Sequence, residues 1–105
     1  MKAIEFKGKT LETIRDFPGD ARQMAGYELD RVQRGFEPSN WKPMKSIGLG
    51  VKEIRISATD GVYRVIYVAK FSDAVYVLSA FQKKQQKTPK EQLAIAKKHY
   101  GEILK

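Results

Sequence analysis

The chain has 105 residues, no cysteine, one histidine and a formal charge of +8, from 20 Lys and Arg against 12 Asp and Glu. These totals exclude a disulfide framework, a thiolate nucleophile and a cysteine zinc site, and His99 alone cannot make a metal cluster. No apolar run approaches the roughly 20 residues of a membrane span and the N-terminus lacks a signal-peptide core, so one cytoplasmic domain over residues 1–105 is expected, with no metal or other cofactor and no membrane partner.

Residues 2–6 alternate weakly and predict a first strand at a sheet edge. Residues 10–17 carry Leu11, Ile14 and Phe17 at helical spacing, with Thr10 as the expected cap and Pro18-Gly19 as the break. A second helix is expected to Arg34, with an apolar stripe of Ala21, Met24, Ala25, Leu29 and Val32 running on to Phe36, and Gly35 as its stop. The two helices form a hairpin that covers one face of a sheet. From residue 37 to 50 periodicity disappears, and Pro38, Pro43, Gly48 and Gly50 mark a long loop holding Trp41, Lys42 and Lys45. Trp41 either anchors that loop on the core or stacks a base.

Residues 51–88 organise the rest. Ile54, Ile56 and Ala58 share one parity, and Glu53, Arg55 and Ser57 share the other, as in a strand with one buried and one open face. After the turn signal Thr59-Asp60-Gly61, a second strand places Tyr63, Val65, Tyr67 and Ala69 on one side, with Arg64 opposite them among Val62, Ile66 and Val68. A third strand, residues 74–81, runs into Gln82-Lys83-Lys84-Gln85-Gln86-Lys87. Thr88-Pro89-Lys90-Glu91 has capping-box spacing and opens a helix to about Leu104. Its narrow stripe of Leu93, Ala96, Tyr100 and Ile103 is expected to dock on the sheet's second face around Val68, Val75 and Val77, with His99 at the surface. The fold class is therefore α+β: a curved antiparallel sheet with an N-terminal helical hairpin on one face, and a C-terminal helix.

Charge is unevenly placed along this chain. Residues 1–41 hold seven basic and seven acidic side chains, and residues 42–105 hold thirteen and five. Such segregation favours a polyanion, most often nucleic acid, although an anionic membrane surface or an acidic protein would satisfy charge alone. Parity sets Arg55 and Arg64 on one side of the sheet, and ordinary register adds Ser79 and Phe81, with Lys83 and Lys84 just beyond. Guanidinium forks, ammonium groups and one aromatic suit a phosphate with an unstacked base beside it. The competing reading is that Arg55 pairs with Glu53 and the lysines are a solvated strand end. Cleavage through a 2′-hydroxyl needs a base, cations for the phosphoryl oxygens and an acid for the leaving oxygen. No histidine or carboxylate of obvious placement joins the patch, so Lys83 or Lys84, with a pKa lowered by cationic neighbours, is the base candidate.

Several separated stretches occur in a familiar order: Gly26-Tyr27-Glu28-Leu29-Asp30-Arg31-Val32-Gln33-Arg34-Gly35, Trp41-Lys42-Pro43-Met44-Lys45, Gly50-Val51-Lys52-Glu53-Ile54-Arg55-Ile56, Tyr63-Arg64-Val65-Ile66-Tyr67, and Ala80-Phe81-Gln82-Lys83-Lys84 through Thr88-Pro89. Together they resemble the phage-derived HigB-like branch of the RelE/ParE toxin superfamily, over about nine-tenths of the chain. The resemblance implies a toxin of a type II toxin–antitoxin module, cutting messenger RNA on the ribosome without a metal and neutralised by a helix-turn-helix, HigA-like antitoxin. By the same resemblance Arg64 contacts the scissile phosphate and Lys83 stabilises charge or protonates the leaving group, with Lys84 beside it. Arg55 and Lys52 match the basic positions of the preceding strand, and Lys42, Lys45, Phe81 and Lys87 complete the expected RNA-binding set. The sequence departs from the family after Lys84, where Gln85-Gln86-Lys87-Thr88-Pro89 offers no tyrosine. A non-catalytic ParE-like inhibitor of DNA gyrase, or a basic RNA-binding module without toxicity, is the alternative.

Overall fold

A computed structural model describes residues 1–104. Among these residues the elements run β1 (Ala3–Phe6), α1 (Thr10–Arg15), α2 (Gly19–Gln33), β2 (Trp41–Pro43), β3 (Val51–Ala58), β4 (Gly61–Val68), β5 (Ala74–Lys83) and α3 (Lys90–Ile103). The strands form one sheet in the order β1-β5-β4-β3-β2. It is antiparallel from β5 to β2, and β1 is added in parallel at the β5 edge, as a strand separated from its partner by most of the chain can be. No described helix is long and apolar enough to cross a membrane.

The first face is the larger core. Ile54, Ile56, Tyr63, Val65, Tyr67, Val75, Val77 and Ala80 pack under Ile14, Phe17, Ala21, Ala25, Leu29 and Val32 of the helical hairpin. Thr10 is the first residue of α1 rather than its cap, and its buried hydroxyl has no partner. The stripe on α2 also differs from the expected one: Met24 and Phe36 are exposed, and Glu28 turns inward, where Oε1 accepts from the Ser39 amide at 3.1 Å and the Ser39 hydroxyl at 3.2 Å. Gly35 ends the helix at φ +91°, in the left-handed region that glycine adopts without strain. Asp20 fastens the hairpin to the sheet, with Oδ1 accepting from the Ala21 amide and Oδ2 from the Thr59 amide in the β3–β4 turn, both at 2.8 Å.

The second face is not open along its whole length. Val51, Ile66, Val68, Ala74, Tyr76, Leu78 and Phe81 form a second core with Met44, Ile47, Ala96 and Tyr100, beneath α3 and the loop after β2. Val75 and Val77, expected here, lie on the first face instead. The reason is a β-bulge: Ile66 pairs with Ser79 but Tyr67 pairs with Val77, so Leu78 is an extra residue and the alternation of β5 reverses across it. His99, expected at the surface, is half-buried at this irregularity, where Nδ1 lies 2.8 Å from the Leu78 carbonyl.

Two further expectations are corrected. The segment around Trp41 is a three-residue strand, with Trp41 opposite Ile54 and Lys42 opposite Glu53, hidden in the sequence by Pro43 and by its brevity. Thr88 does not cap α3, whose N-cap is Pro89 without a side-chain bond; its hydroxyl points to the sheet instead.

Candidate functional site

Register carries the candidate side chains of the second face in rows. Arg55 is directly opposite Arg64, which is opposite Phe81; one row on, Ser57 faces Val62 and Val62 faces Lys83; one row back, Glu53 faces Ile66 and Ile66 faces Ser79. The start of α3 lies over the Glu53 row, because Thr88 Oγ1 donates to Glu53 Oε2 at 3.0 Å and Ser79 Oγ donates to Gln92 Oε1 at 2.6 Å. Beyond that row Arg64 and Phe81 are still largely buried, and the face opens at their outer side. Val62, Arg64, Lys83, Lys84, Gln85 and Gln86 line an open recess there.

Like charges directly opposite in a sheet destabilise it, so the Arg55–Arg64 pair is not explained by stability. A fully buried carboxylate offsets part of the cost. Glu53, with 0% exposure, has Oε1 3.7 Å from Arg64 Nε and 3.8 Å from Lys42 Nζ. Both distances exceed a hydrogen bond, and Glu53 Oε1, Arg55 Nε and Arg64 Nε are all buried without a partner among the described residues. Arg64 is 8% exposed and donates through Nη1 to the Tyr63 carbonyl at 2.9 Å. Burial pushes its pKa down, Glu53 opposes that and Arg55 adds to it; an arginine so placed stays cationic. Lys83 is shifted the same way, by burial first and then by the charge of Arg64, with Glu53 opposing and Lys42 and Arg55 contributing. For an amine that shift matters, since it enlarges the neutral fraction.

Of the residues singled out in the sequence, the structure brings together Arg64, Lys83 and Lys84 at the recess, with Arg55 beside Arg64 and Lys42 on Glu53. Lys87 is exposed in the loop just before Thr88. The remaining three offer no group to the recess. Lys52 has the opposite parity: it bonds Glu37 at 2.8 Å and lies 4.4 Å from the Trp41 ring centroid, on the other side of the sheet from Arg64. Lys45 is exposed in the turn leading to Val51. Phe81 is 6% exposed and packs in the second core, so its ring is not a free stacking platform. Glu53 was the residue missed. Its parity with Arg55 was legible, but its burial depends on Thr88 and α3, 35 residues further along.

The arrangement can bind a phosphate diester through Arg55, Lys83 and Lys84 while Arg64, fixed from below, supplies a further guanidinium edge. Comparison with known proteins found no match among curated proteins. A family model described as phage derived protein Gp49-like (DUF891) matches residues 12–101, which include every element of the recess. The chain therefore belongs to the phage-derived Gp49-like family, a family associated with RelE-like toxins.

Proposed function

We propose that this chain is one toxin domain of the HigB-like branch and acts as a ribosome-dependent endoribonuclease that halts translation by cutting messenger RNA. The observation that carries this reading is Arg64 opening with Lys83 and Lys84 onto one recess, with Arg55 directly opposite Arg64 in the sheet. In the reaction the guanidinium groups stabilise the charge that grows on the phosphoryl oxygens. Neutral Lys83 accepts the 2′-hydroxyl proton as that oxygen attacks phosphorus, and Lys84 returns a proton to the departing 5′ oxygen. Its partners are messenger RNA, the ribosome and a cognate helix-turn-helix, HigA-like antitoxin, as expected of a toxin from a paired module.

The test is primer extension on a defined messenger incubated with purified protein, with and without translating ribosomes. Cuts are expected only with ribosomes, and Arg64→Ala or Lys83→Ala should reduce them by about 10² or more while circular dichroism stays unchanged. Full cleavage by both variants would sink the site assignment. A second reading, non-catalytic inhibition of DNA gyrase, is favoured by Glu53 being wholly out of solvent, which leaves the recess without an open carboxylate. That reading predicts intact messenger together with stalled replication.

A further inference from the structure

Thr88 makes one side-chain bond, and it is to the most deeply buried charge in the site. Its hydroxyl donates to Glu53 Oε2 at 3.0 Å. The other oxygen, Oε1, is buried with no hydrogen-bond partner although two cations stand close by, Arg64 Nε at 3.7 Å and Lys42 Nζ at 3.8 Å. An unpartnered carboxylate oxygen out of water closes on a nearby N–H whenever it is free to do so, because the charge-assisted bond is short and strong. Here it does not close. The oxygen that is bonded is Oε2, and its partner is Thr88.

We propose that Thr88 is a positioning residue for Arg64. It holds Glu53 just beyond bonding distance, so that the carboxylate neutralises the guanidinium electrostatically without consuming its Nε–H. Arg64 is thereby left unbonded to Glu53 at 8% exposure, its buried Nε–H unspent and its guanidinium lining the recess rather than drawn into the sheet. Without the hydroxyl, Glu53 swings onto Arg64 Nε, the pair contracts to an ordinary bonded salt bridge, and the guanidinium turns from the recess into the sheet. The same bond ties the loop bearing Lys84, Gln85, Gln86 and Lys87 to the strand that bears Arg55, one row back from Arg55 and Arg64, so the two walls of the recess are set relative to one another by Thr88.

This inference rests on the nuclease reading only for its effect on cleavage, and its test has a readout that does not. Thr88→Val keeps the shape and removes the donor; Thr88→Ser keeps the donor. The Arg64 Nε–H resonance, assigned in nitrogen-15-labelled protein by its loss in Arg64→Ala, reports whether that hydrogen is bonded. In Thr88→Val it should move downfield and exchange more slowly with water than in the unsubstituted protein, and in Thr88→Ser it should stay in place. Ribosome-dependent cleavage should fall about tenfold or more in Thr88→Val, the scale of one charge-assisted bond, and be restored in Thr88→Ser. An Arg64 Nε–H signal that is the same in all three proteins overturns the inference whatever the cleavage. A signal that moves in the valine variant alone, in a protein that cuts no messenger, upholds the role of Thr88 and overturns the nuclease reading.

Discussion

Lys83 is the side chain whose protonation the rest of the recess controls. It lies one row from Arg64, and burial together with that guanidinium lowers its pKa, while Glu53 pulls the other way. A base that must be neutral gains activity as pH rises through its pKa. Cleavage should therefore show a rising limb positioned below the ordinary lysine range. Arg55→Ala removes one of the positive charges that lower the Lys83 pKa, so the limb should move to higher pH; Lys83→Arg should abolish it, since arginine does not lose its proton in a protein. Rates measured across pH for the three proteins check both statements. A falling limb in the same range would assign Lys83 as the acid instead.

Elements in this fold are set by close approaches that a few glycines permit. A Cβ on Gly48 would lie 2.6 Å from Cζ of Tyr100, the aromatic side chain that seats α3 on the second core. The Tyr100 hydroxyl also accepts from Lys70 Nζ at 2.8 Å and donates to the Leu49 carbonyl at 3.3 Å, so the ring has little room to yield. Gly48→Ala should cost about 1–3 kcal/mol in urea unfolding. In contrast Gly26 lies inside α2 with nothing within 4 Å of a Cβ, and Gly26→Ala should stabilise by about 0.5–1 kcal/mol. Strands β3 and β4 were legible because the turn signal between them sets a register that runs unbroken from Ala58 opposite Gly61 to Val51 opposite Val68. What escaped was non-local. Leu78, Ser79 and Ala80 suit either face of a sheet, so nothing marks the bulge. Thr88-Pro89-Lys90-Glu91 satisfies the local rule for a cap, yet the hydroxyl is drawn to a carboxylate that local sequence cannot bring near it.

At the scale of the molecule, the basic excess after residue 41 and the covering of the sheet act together. Helix α3 seals the apolar end of the second face, so the end that opens to a recess is the one lined by Arg64, Lys83 and Lys84, with Arg55 beside Arg64. Binding to single-stranded RNA should weaken linearly in log–log terms as salt rises, because phosphate contacts release counterions. Removing Arg55, whose Nε has no hydrogen-bond partner among the described residues, should lessen the slope by about 0.7, whereas Lys52→Ala, on the opposite face and paired with Glu37, should leave it unchanged. Fluorescence anisotropy over a salt series measures both.

The extra residue in β5 has a consequence beyond the helix it accommodates. A strand has two settings, odd side chains up or odd side chains down, and β5 uses both: Val75 and Val77 in one, Ala80 and Gln82 in the other, with the change of setting at Leu78. Were the strand regular, with Leu78 paired opposite Ile66, it would keep a single setting to its end, and Phe81 and Lys83 would turn towards the helical hairpin while Ala80 took the place opposite Arg64. The same ten residues can thus build a core at one end and offer a lysine to the recess at the other only because their count is off by one.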